Sequence, residues 1–280
     1  MLKGINYWAF PVEADGFPVD PVKAMQEAHR IGYDCFELTV ERKGYIHPDM
    51  SREEAEWLKK EAQAIGIQLK TLATALGWEI SPTDPDPEVR KESVKMHKKI
   101  LQIANWLGVE TLLYIPGMVS APFVEDYDPQ PYDEVDKRAR EALKELLPVA
   151  RKMKVRIAVE NVWNRYLLSP LEMRDFIDSF NSKWIGAYFD VGNIMLYGHP
   201  EHWIKILGDR IKAVHFKDFK TEAGNVEGFV QILKGDVDFP EVMKAFRDID
   251  YKGPFIAEVF PIHPYILERT FRAMKKIEEM

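Results

Sequence analysis

The stretch WIGAYFDVGN (184–193), followed by RIKAVHFKD (210–218), carries the pattern that decides the fold. Each begins with a short run of β-type residues and then reaches a side chain that can bind a metal. These side chains are Asp190 in the first stretch and His215 in the second. We therefore predict two buried strands, each with a possible metal ligand at its end.

The same pattern occurs twice more in the chain. In VRIAVENVWN (155–164) the apolar run reaches Glu160, and in GPFIAEVF (253–260) it reaches Glu258. The chain thus contains a series of strand ends that carry Glu, Asp, His and Glu, in that order. If the strands are parallel and adjacent, their ends meet and the separated residues form one site.

Length and composition favour a single large domain. The chain has 280 residues, of which 46% are hydrophobic, and an α/β barrel of about 250 residues folds as one domain. We predict one domain over residues 1–280. The net charge of -7 argues against a nucleic-acid partner, because phosphate binding requires a basic face.

Cysteine content and hydropathy predict a cytoplasmic, soluble protein. The single cysteine, Cys35, cannot form an internal disulfide and is expected to be buried as a small apolar residue. The N-terminal segment MLKGINYWAF lacks the apolar run that a signal peptide requires. No stretch approaches the ~18 apolar residues of a membrane span. A homo-oligomer is compatible with these features.

Apolar runs alternate with amphipathic segments along the whole chain. Strands are predicted at 2–10, 34–40, 67–76, 109–117, 155–160, 184–190, 210–217 and 253–259. Helices are expected between them, and helix signals include Ser51 with Glu54, which form a capping box. Residues 77–89 are rich in Pro and Asp and are expected to be irregular, whereas a short helical piece is expected at 193–197.

Eight strands that alternate with helices can form an open sheet or a closed barrel. No glycine-rich dinucleotide turn follows the first strand, which favours the closed form. We predict an α/β fold of the single (β/α)8 TIM-barrel type. The predicted strands five to eight then direct their last side chains into one mouth.

Glu160, Asp190, His215 and Glu258 together suit a divalent metal. Three carboxylates and one imidazole form a mostly hard oxygen site, which fits Mn, Mg, Co or Zn. Without an ion the carboxylates would repel one another at a partly buried mouth. Each residue taken singly could equally be a salt-bridged or solvated polar group. Their occurrence at four consecutive strand ends favours the metal site.

These four motifs resemble the metal ligands of the xylose isomerase-like barrel superfamily. Within it the chain is most similar to the sugar and sugar-phosphate isomerase and epimerase group, which includes tagatose, allulose and hexulose-phosphate epimerases. The resemblance implies one divalent metal that holds the oxygens of a ketose. It also implies that Glu160 and Glu258 double as proton-transfer carboxylates.

The chain departs from the tagatose 3-epimerase type at three places. Asn193 occupies the position of a substrate-contacting histidine, and Tyr166 occupies that of a second glutamate. The substrate-binding arginine of that type has no clear match between residues 219 and 234. These departures leave the identity of the sugar open.

The reaction class follows from the chemistry of a carbon next to a carbonyl. A metal that stabilises an enediolate makes the proton on that carbon removable by a nearby carboxylate. Two carboxylates on opposite faces would epimerise a ketose or ketose phosphate, expected at C3. One carboxylate alone would instead interconvert aldose and ketose. A hydroxypyruvate isomerase, an inosose dehydratase, an abasic-site endonuclease and a non-catalytic sugar-binding protein remain as alternatives.

Several further residues are candidates for binding the substrate. Glu37, Trp8 and Trp78 could line the mouth, although packing or ion pairing would explain each of them equally well. Lys217 lies two positions after His215 and is therefore on the same strand face. Asn193 is a further candidate for binding the substrate. Lys220 and Lys234 could hold an anionic substrate, but a solvated surface explains them better.

Overall fold

The computed structural model describes residues 1–12, 17–259, 263 and 265–280. Eight parallel strands form a closed barrel in which every strand pairs with its neighbours in the chain and the first pairs with the last. The (β/α)8 prediction is therefore confirmed. The strands are β1 (Leu2–Asn6), β2 (Cys35–Val40), β3 (Thr71–Thr74), β4 (Thr111–Tyr114), β5 (Arg156–Glu160), β6 (Ile185–Asp190), β7 (Ile211–Phe216) and β8 (Pro254–Ala257).

Helices connect these strands and cover the outside of the barrel. The predicted capping box is formed, with Ser51 accepting from the backbone of Glu54 and Glu54 accepting from that of Ser51. No helix in the described ranges is long and apolar enough to cross a bilayer. The helices are α1 (Pro21–Ile31), α2 (Arg52–Ile65), α3 (Leu76–Glu79), α4 (Pro87–Leu107), α5 (Tyr132–Met153), α6 (Pro170–Asp178), α7 (Pro200–Leu207), α8 (Phe239–Asp248) and α9 (Ile266–Glu278).

Alternation along the strands divides the core into an outer and an inner part. The outer part joins the strands to the helices, whereas the inner cluster comprises Ala73, Leu113, Ile115, Ala158, Tyr188 and Ala213. Side chains two positions apart on a strand share a face. Glu160, Asp190 and His215 each follow one of Ala158, Tyr188 and Ala213 by two positions. They therefore point to the same, inner side of the barrel. The small alanines of this inner cluster leave space inside the barrel.

The first strand is shorter than predicted. It ends at Asn6, and a 3₁₀ turn (Tyr7–Ala9) follows instead of further strand. The side chain of Asn6 accepts a hydrogen bond from the backbone N–H of Trp8 at 2.6 Å, which caps the turn. This local side-chain bond competes with strand pairing and ends it.

Two other local predictions were wrong. Residues 77–89 were expected to be irregular, but Leu76–Glu79 forms a helical turn at the start of this segment. The helical piece expected at 193–197 is instead a series of hydrogen-bonded turns, such as that from Tyr197 N to Ile194 O at 2.8 Å. Both segments are too short for hydrophobic periodicity to distinguish one turn of helix from a non-helical turn.

His97, on α4, is a buried titratable group away from the barrel mouth. Its Nδ1 lies 2.8 Å from the backbone oxygen of Ser93, and its ring packs against Tyr114 with centroids 4.9 Å apart. Its Nε2 has no hydrogen-bond partner among the described residues. Burial lowers the pKa of His97 from 6.5 to about 4, because the charged imidazolium would lose its hydration.

We expect His97 to make the protein acid-sensitive. The unfolded chain takes up a proton near pH 6.5 and the folded chain only near pH 4, so this contribution to stability is lost as pH falls through that window. The loss should reach about 3 kcal/mol of the free energy of unfolding. The free energy of unfolding, measured in urea at pH 7 and at pH 4.5, should decrease less on acidification in His97→Gln than in the wild type. The exposed control His202→Gln should match the wild type, and equal losses in all three proteins would refute the expectation.

Candidate metal centre and cavity

Four side chains converge at the carboxyl ends of β5 to β8. Glu160, Asp190, His215 and Glu258 each offer a ligand atom, and these atoms all lie within 4.8 Å of one another. Asp190 and His215 are fully buried, and the two glutamates are less than a tenth exposed. The structure thus brings together the four residues that the sequence placed at strand ends, in a geometry that could hold a metal ion.

Glu37 fixes the orientation of the His215 ring. Its Oε1 lies 2.7 Å from His215 Nε2, and it also accepts hydrogen bonds from Asn6 Nδ2 at 2.7 Å and from the Tyr188 hydroxyl. Nε2 therefore donates to Glu37, and Nδ1 faces the centre of the cluster. There it lies 2.7 Å from Oε2 of Glu258. Such a carboxylate behind a histidine is typical of metal-binding imidazoles.

Lys217 introduces a positive charge into the cluster. Its Nζ lies 3.0 Å from Asp190 Oδ2 and 2.9 Å from Glu258 Oε2. Burial alone would lower the pKa of Lys217, but the charges of Asp190 and Glu258 outweigh it and raise the pKa well above its usual value. The ammonium is therefore charged and is paired with two carboxylates.

The two glutamates of the cluster have opposite electrostatic environments. Burial raises the pKa of Glu160 to about 7, against the opposing effects of His215 and Lys217. Burial acts in the same direction on Glu258, but Lys217 and His215 outweigh it and lower the pKa of Glu258 to about 2. Carboxyl groups whose pKa values are separated in this way are common in active sites.

Three buried atoms of the cluster have polar contacts only within the cluster and with the Lys217 ammonium. Oδ2 of Asp190, Nδ1 of His215 and Oε2 of Glu258 make ion-pair contacts of this kind at 2.7 to 3.0 Å, and none of the three makes a well-aligned hydrogen bond within the described residues. Buried polar atoms are normally satisfied, and unsatisfied ones indicate a missing ligand or a functional role. Their convergence and their chemistry, carboxylate oxygen with imidazole nitrogen, fit a divalent metal.

Two asparagines hold the ends of β5 and β6 together. Asn161 donates to the backbone oxygen of Asp190 at 2.7 Å and accepts from its backbone N–H at 2.8 Å. Asn193 donates its backbone N–H to Asp190 Oδ1 at 2.8 Å and its side-chain amide to the backbone oxygen of Asn161 at 3.0 Å. One carboxylate oxygen of Asp190 is thus fixed, which leaves Oδ2 directed at the cluster.

A cavity of about 670 Å³ adjoins the cluster, and Glu160 and Glu258 line it. Of the residues predicted to bind substrate, Trp8, Trp78, Asn193 and Lys217 line it. Glu37 does not, and the expectation that it lines the mouth is corrected. It is fully buried beneath His215, because it pairs with the imidazole and two other donors rather than with solvent.

Part of the cavity wall was not predicted from the sequence. The cavity is also lined by Phe123, Trp163, Glu227 and Phe229. Trp163 lies in VRIAVENVWN, three positions after Glu160, and its nearness to a predicted ligand is a signal for a wall residue. The other three come from long loops after β4 and β7, where no periodicity shows which side chains turn inward.

The loop after β7 forms one side of this wall. Asp218–Phe219 and Phe229–Val230 form a two-stranded antiparallel ribbon within this loop. Trp163 packs against Phe219 and Phe229, with ring centroids 5.5 Å and 5.2 Å apart. These aromatic contacts fix the ribbon against the end of β5 and hold Phe229 in the wall.

Comparisons with known proteins agree with this architecture. The chain is similar to the L-ribulose-5-phosphate 3-epimerase UlaE of Escherichia coli O1:K1 / APEC, with 24% identity over 85% of this chain and 82% of that protein. A solved D-psicose 3-epimerase from Clostridium cellulolyticum H10 superposes with a TM-score of 0.81 at 18% identity, over 100% of this chain and 99% of that one. A solved L-ribulose 3-epimerase gives a TM-score of 0.77 at 16% identity, over 99% and 94%.

The match to a protein family covers most of the chain. The family described as Xylose isomerase-like TIM barrel matches residues 25–277. This range includes seven of the eight barrel strands and all four residues of the buried cluster. The chain therefore belongs to the xylose isomerase-like TIM barrel family.

Proposed function

We propose that this protein is a divalent-metal-dependent epimerase that inverts C3 of a ketose. The observation that carries the proposal is the placement of Glu160 and Glu258. Both line the cavity, and they come from strands on either side of Asp190 and His215. The relatives named as 3-epimerases of ribulose phosphate, psicose and ribulose support this choice of reaction.

Glu160, Asp190, His215 and Glu258 would hold the metal. A bound divalent ion acts as a Lewis acid, which lowers the free energy of negative charge on substrate oxygens. The donor set is compatible with Mn, Mg, Co or Zn. Glu37 would keep His215 in the tautomer that presents Nδ1, through the contact at 2.7 Å.

Two carboxylates would then divide the proton transfers. One glutamate removes the proton from C3 of the bound ketose, which leaves negative charge on the neighbouring oxygens. The other returns a proton from the opposite face, and the configuration at C3 is inverted. The ligand atoms of Glu160 and Glu258 lie within 4.8 Å of each other, so one carbon could be within reach of both.

Lys217 would bind and orient the substrate. Its ammonium lies between Asp190 and Glu258 and lines the cavity, so it could donate to a substrate oxygen that carries developing charge. The Lys217 ammonium also lies over the ring of Phe229, with Nζ 5.5 Å from the ring centroid, and this contact restricts the position of the lysine side chain. Asn193 and the tryptophans would complete the walls.

We expect about one divalent ion per chain. Asp190→Ala and His215→Ala should each weaken metal binding strongly, because the remaining ligands lose coordination and charge balance. Glu37→Gln should weaken it by about 10- to 100-fold, since it perturbs the tautomer without removing a ligand. Metal content by mass spectrometry, and titration against a competing chelator, give these values.

The exposed residues Asp209 and His199 provide matched controls. Asp209→Ala and His199→Ala remove the same side-chain types from the surface and should bind metal like the wild type. A wild-type protein that turns over ketoses with no bound ion would contradict the metal site.

Glu160→Gln and Glu258→Gln should each reduce turnover of a ketose by about 10²- to 10⁴-fold, the usual effect of losing a general base. Glutamine preserves size and one carbonyl oxygen, and metal content must be measured in each variant because both residues are also ligands. Glu222→Gln, an exposed change outside the cavity, serves as control.

Heavy water distinguishes the two-base epimerase from an isomerase. Wild-type turnover of D-fructose or L-ribulose should place deuterium at C3. Each single glutamine variant should still exchange the C3 proton of the one epimer that its remaining base can reach. Label at C1 or C2, with an aldose product, would replace the proposal with aldose–ketose isomerisation.

We expect no cleavage of abasic-site DNA. The net charge of -7 disfavours binding to a phosphate backbone, and the described lining of the cavity contains one lysine against three glutamates. A three-metal centre would require further histidine ligands, whereas the described residues contain a single cluster of suitable ligands. An abasic duplex incubated with metal-loaded protein at physiological salt should remain intact, and specific nicking would overturn the choice of reaction class.

A further inference from the structure

The described lining of the cavity carries little positive charge. Among the described residues that line it, the charged ones are Glu160, Glu227, Glu258 and Lys217. Lys217 is already paired with two carboxylates at 2.9 and 3.0 Å. The residues outside the described ranges, 13–16, 260–262 and 264, include no Lys, Arg or His. They cannot supply a missing cation.

The surroundings of the cavity are also acidic. A neighbouring hollow shares Trp78 and Phe123 with the cavity, and its described lining contains no cation but four carboxylates, Glu79, Asp84, Glu125 and Asp126. Arg42, on the same side, is paired with Glu79 at 2.8 Å and does not line the cavity. A substrate approaching the mouth therefore meets a negative field.

The loop after β7 is where many barrels bind phosphate through backbone amides. Here the amides of Lys234, Gly235 and Val237 converge on the carboxylate of Asp218, at 3.0, 2.8 and 3.2 Å. Asp218 is 1% exposed. The chain's own carboxylate thus accepts the bonds that a bound phosphate would need.

Gly235 shows how closely this carboxylate is held. A Cβ at this position would lie 2.2 Å from Oδ1 of Asp218, so a side chain cannot be accommodated without displacing the carboxylate. Lys220 and Lys234, the two lysines considered as anion ligands, are exposed and do not line the cavity. The three amides that converge on Asp218 are therefore already engaged, and neither Lys220 nor Lys234 lines the cavity.

From these observations we propose that the site accepts an uncharged ketose and discriminates against its phosphate ester. This rests on the proposed epimerase function and specifies its substrate class. Glu227, at the rim of the cavity, is the specificity-determining residue. A phosphate monoester carries about −1.5 to −2 charges at pH 7, and it would face Glu227, whereas the one cation of the described lining, Lys217, is held at the buried cluster by Asp190 and Glu258.

The walls suit the uncharged substrate. Trp8, Trp78, Phe123, Trp163 and Phe229 place five aromatic rings around the cavity. Sugars have apolar C–H faces that pack on such rings, whereas their hydroxyls need only a few polar partners. A ketose held at the cluster would therefore have its remaining carbons among aromatic rings and Glu227.

L-Ribulose and L-ribulose 5-phosphate are the matched probes, since they differ only in the phosphate. With metal-loaded wild-type protein, kcat/KM should be at least about tenfold higher for L-ribulose, because the phosphate would bring like charge against Glu227, an exposed carboxylate whose repulsion is partly screened by solvent. An equal or higher kcat/KM for the phosphate would overturn the proposal while leaving the epimerase function intact.

Charge changes at Glu227 test the assigned residue. Glu227→Gln should narrow the preference for L-ribulose several-fold, and Glu227→Lys should narrow it by more than about tenfold, since it also supplies a cation. Glu222→Gln and Glu222→Lys make the same charge changes in the same loop, at an exposed position outside the cavity, and should leave the ratio unchanged. A ratio that does not respond to Glu227→Lys, or that responds equally at Glu222, would refute the role of Glu227.

Equilibrium binding separates this proposal from the reaction itself. Tryptophan fluorescence of metal-loaded protein should respond to L-ribulose at lower concentration than to L-ribulose 5-phosphate or inorganic phosphate, since Trp8, Trp78 and Trp163 line the cavity. If neither sugar is turned over, the epimerase function fails, and the order of binding still decides the proposal. Tighter binding of the phosphate would overturn it.

Discussion

The contact between Glu37 and Nε2 of His215, at 2.7 Å, is the interaction on which the arrangement of the site depends. It links β2 to β7 across the interior of the barrel, and Asn6 and Tyr188 hold Glu37 from two further strands. A buried carboxylate needs such partners, and removal of one partner from a buried pair typically costs about 3 to 5 kcal/mol. The orientation of the imidazole is therefore determined by residues that do not contact the cavity.

The barrel interior provides the space for this arrangement. Ala73, Ala158 and Ala213 belong to the inner cluster, and their short side chains leave room for Tyr188 and the cavity above it. Larger aliphatic residues at these positions would fill the interior, as in barrels whose core is fully packed. The size of the site thus depends on these small residues, of which Ala158 and Ala213 stand two positions before Glu160 and His215.

Sequence patterns could predict the fold and the strand-end residues, but not the walls. Glu160, Asp190 and His215 each follow an apolar strand, and parallel topology brings strand ends together whatever the loops do. Phe123 and Glu227 lie in loops whose course depends on distant packing, so no local pattern indicates their direction. Glu37 was assigned to the mouth because a carboxylate near a strand end looks the same whether it faces a cavity or a neighbouring imidazole.

The position of Lys217 bears on the order in which the protein is assembled. Small zinc domains are unfolded without metal because little else holds them together. Here an apolar barrel core surrounds the cluster, and the ammonium of Lys217 compensates Asp190 and Glu258 at 3.0 and 2.9 Å. The chain can therefore complete folding with an internal counter-ion. Metal binding at this cluster would then be a separate step on a preformed barrel.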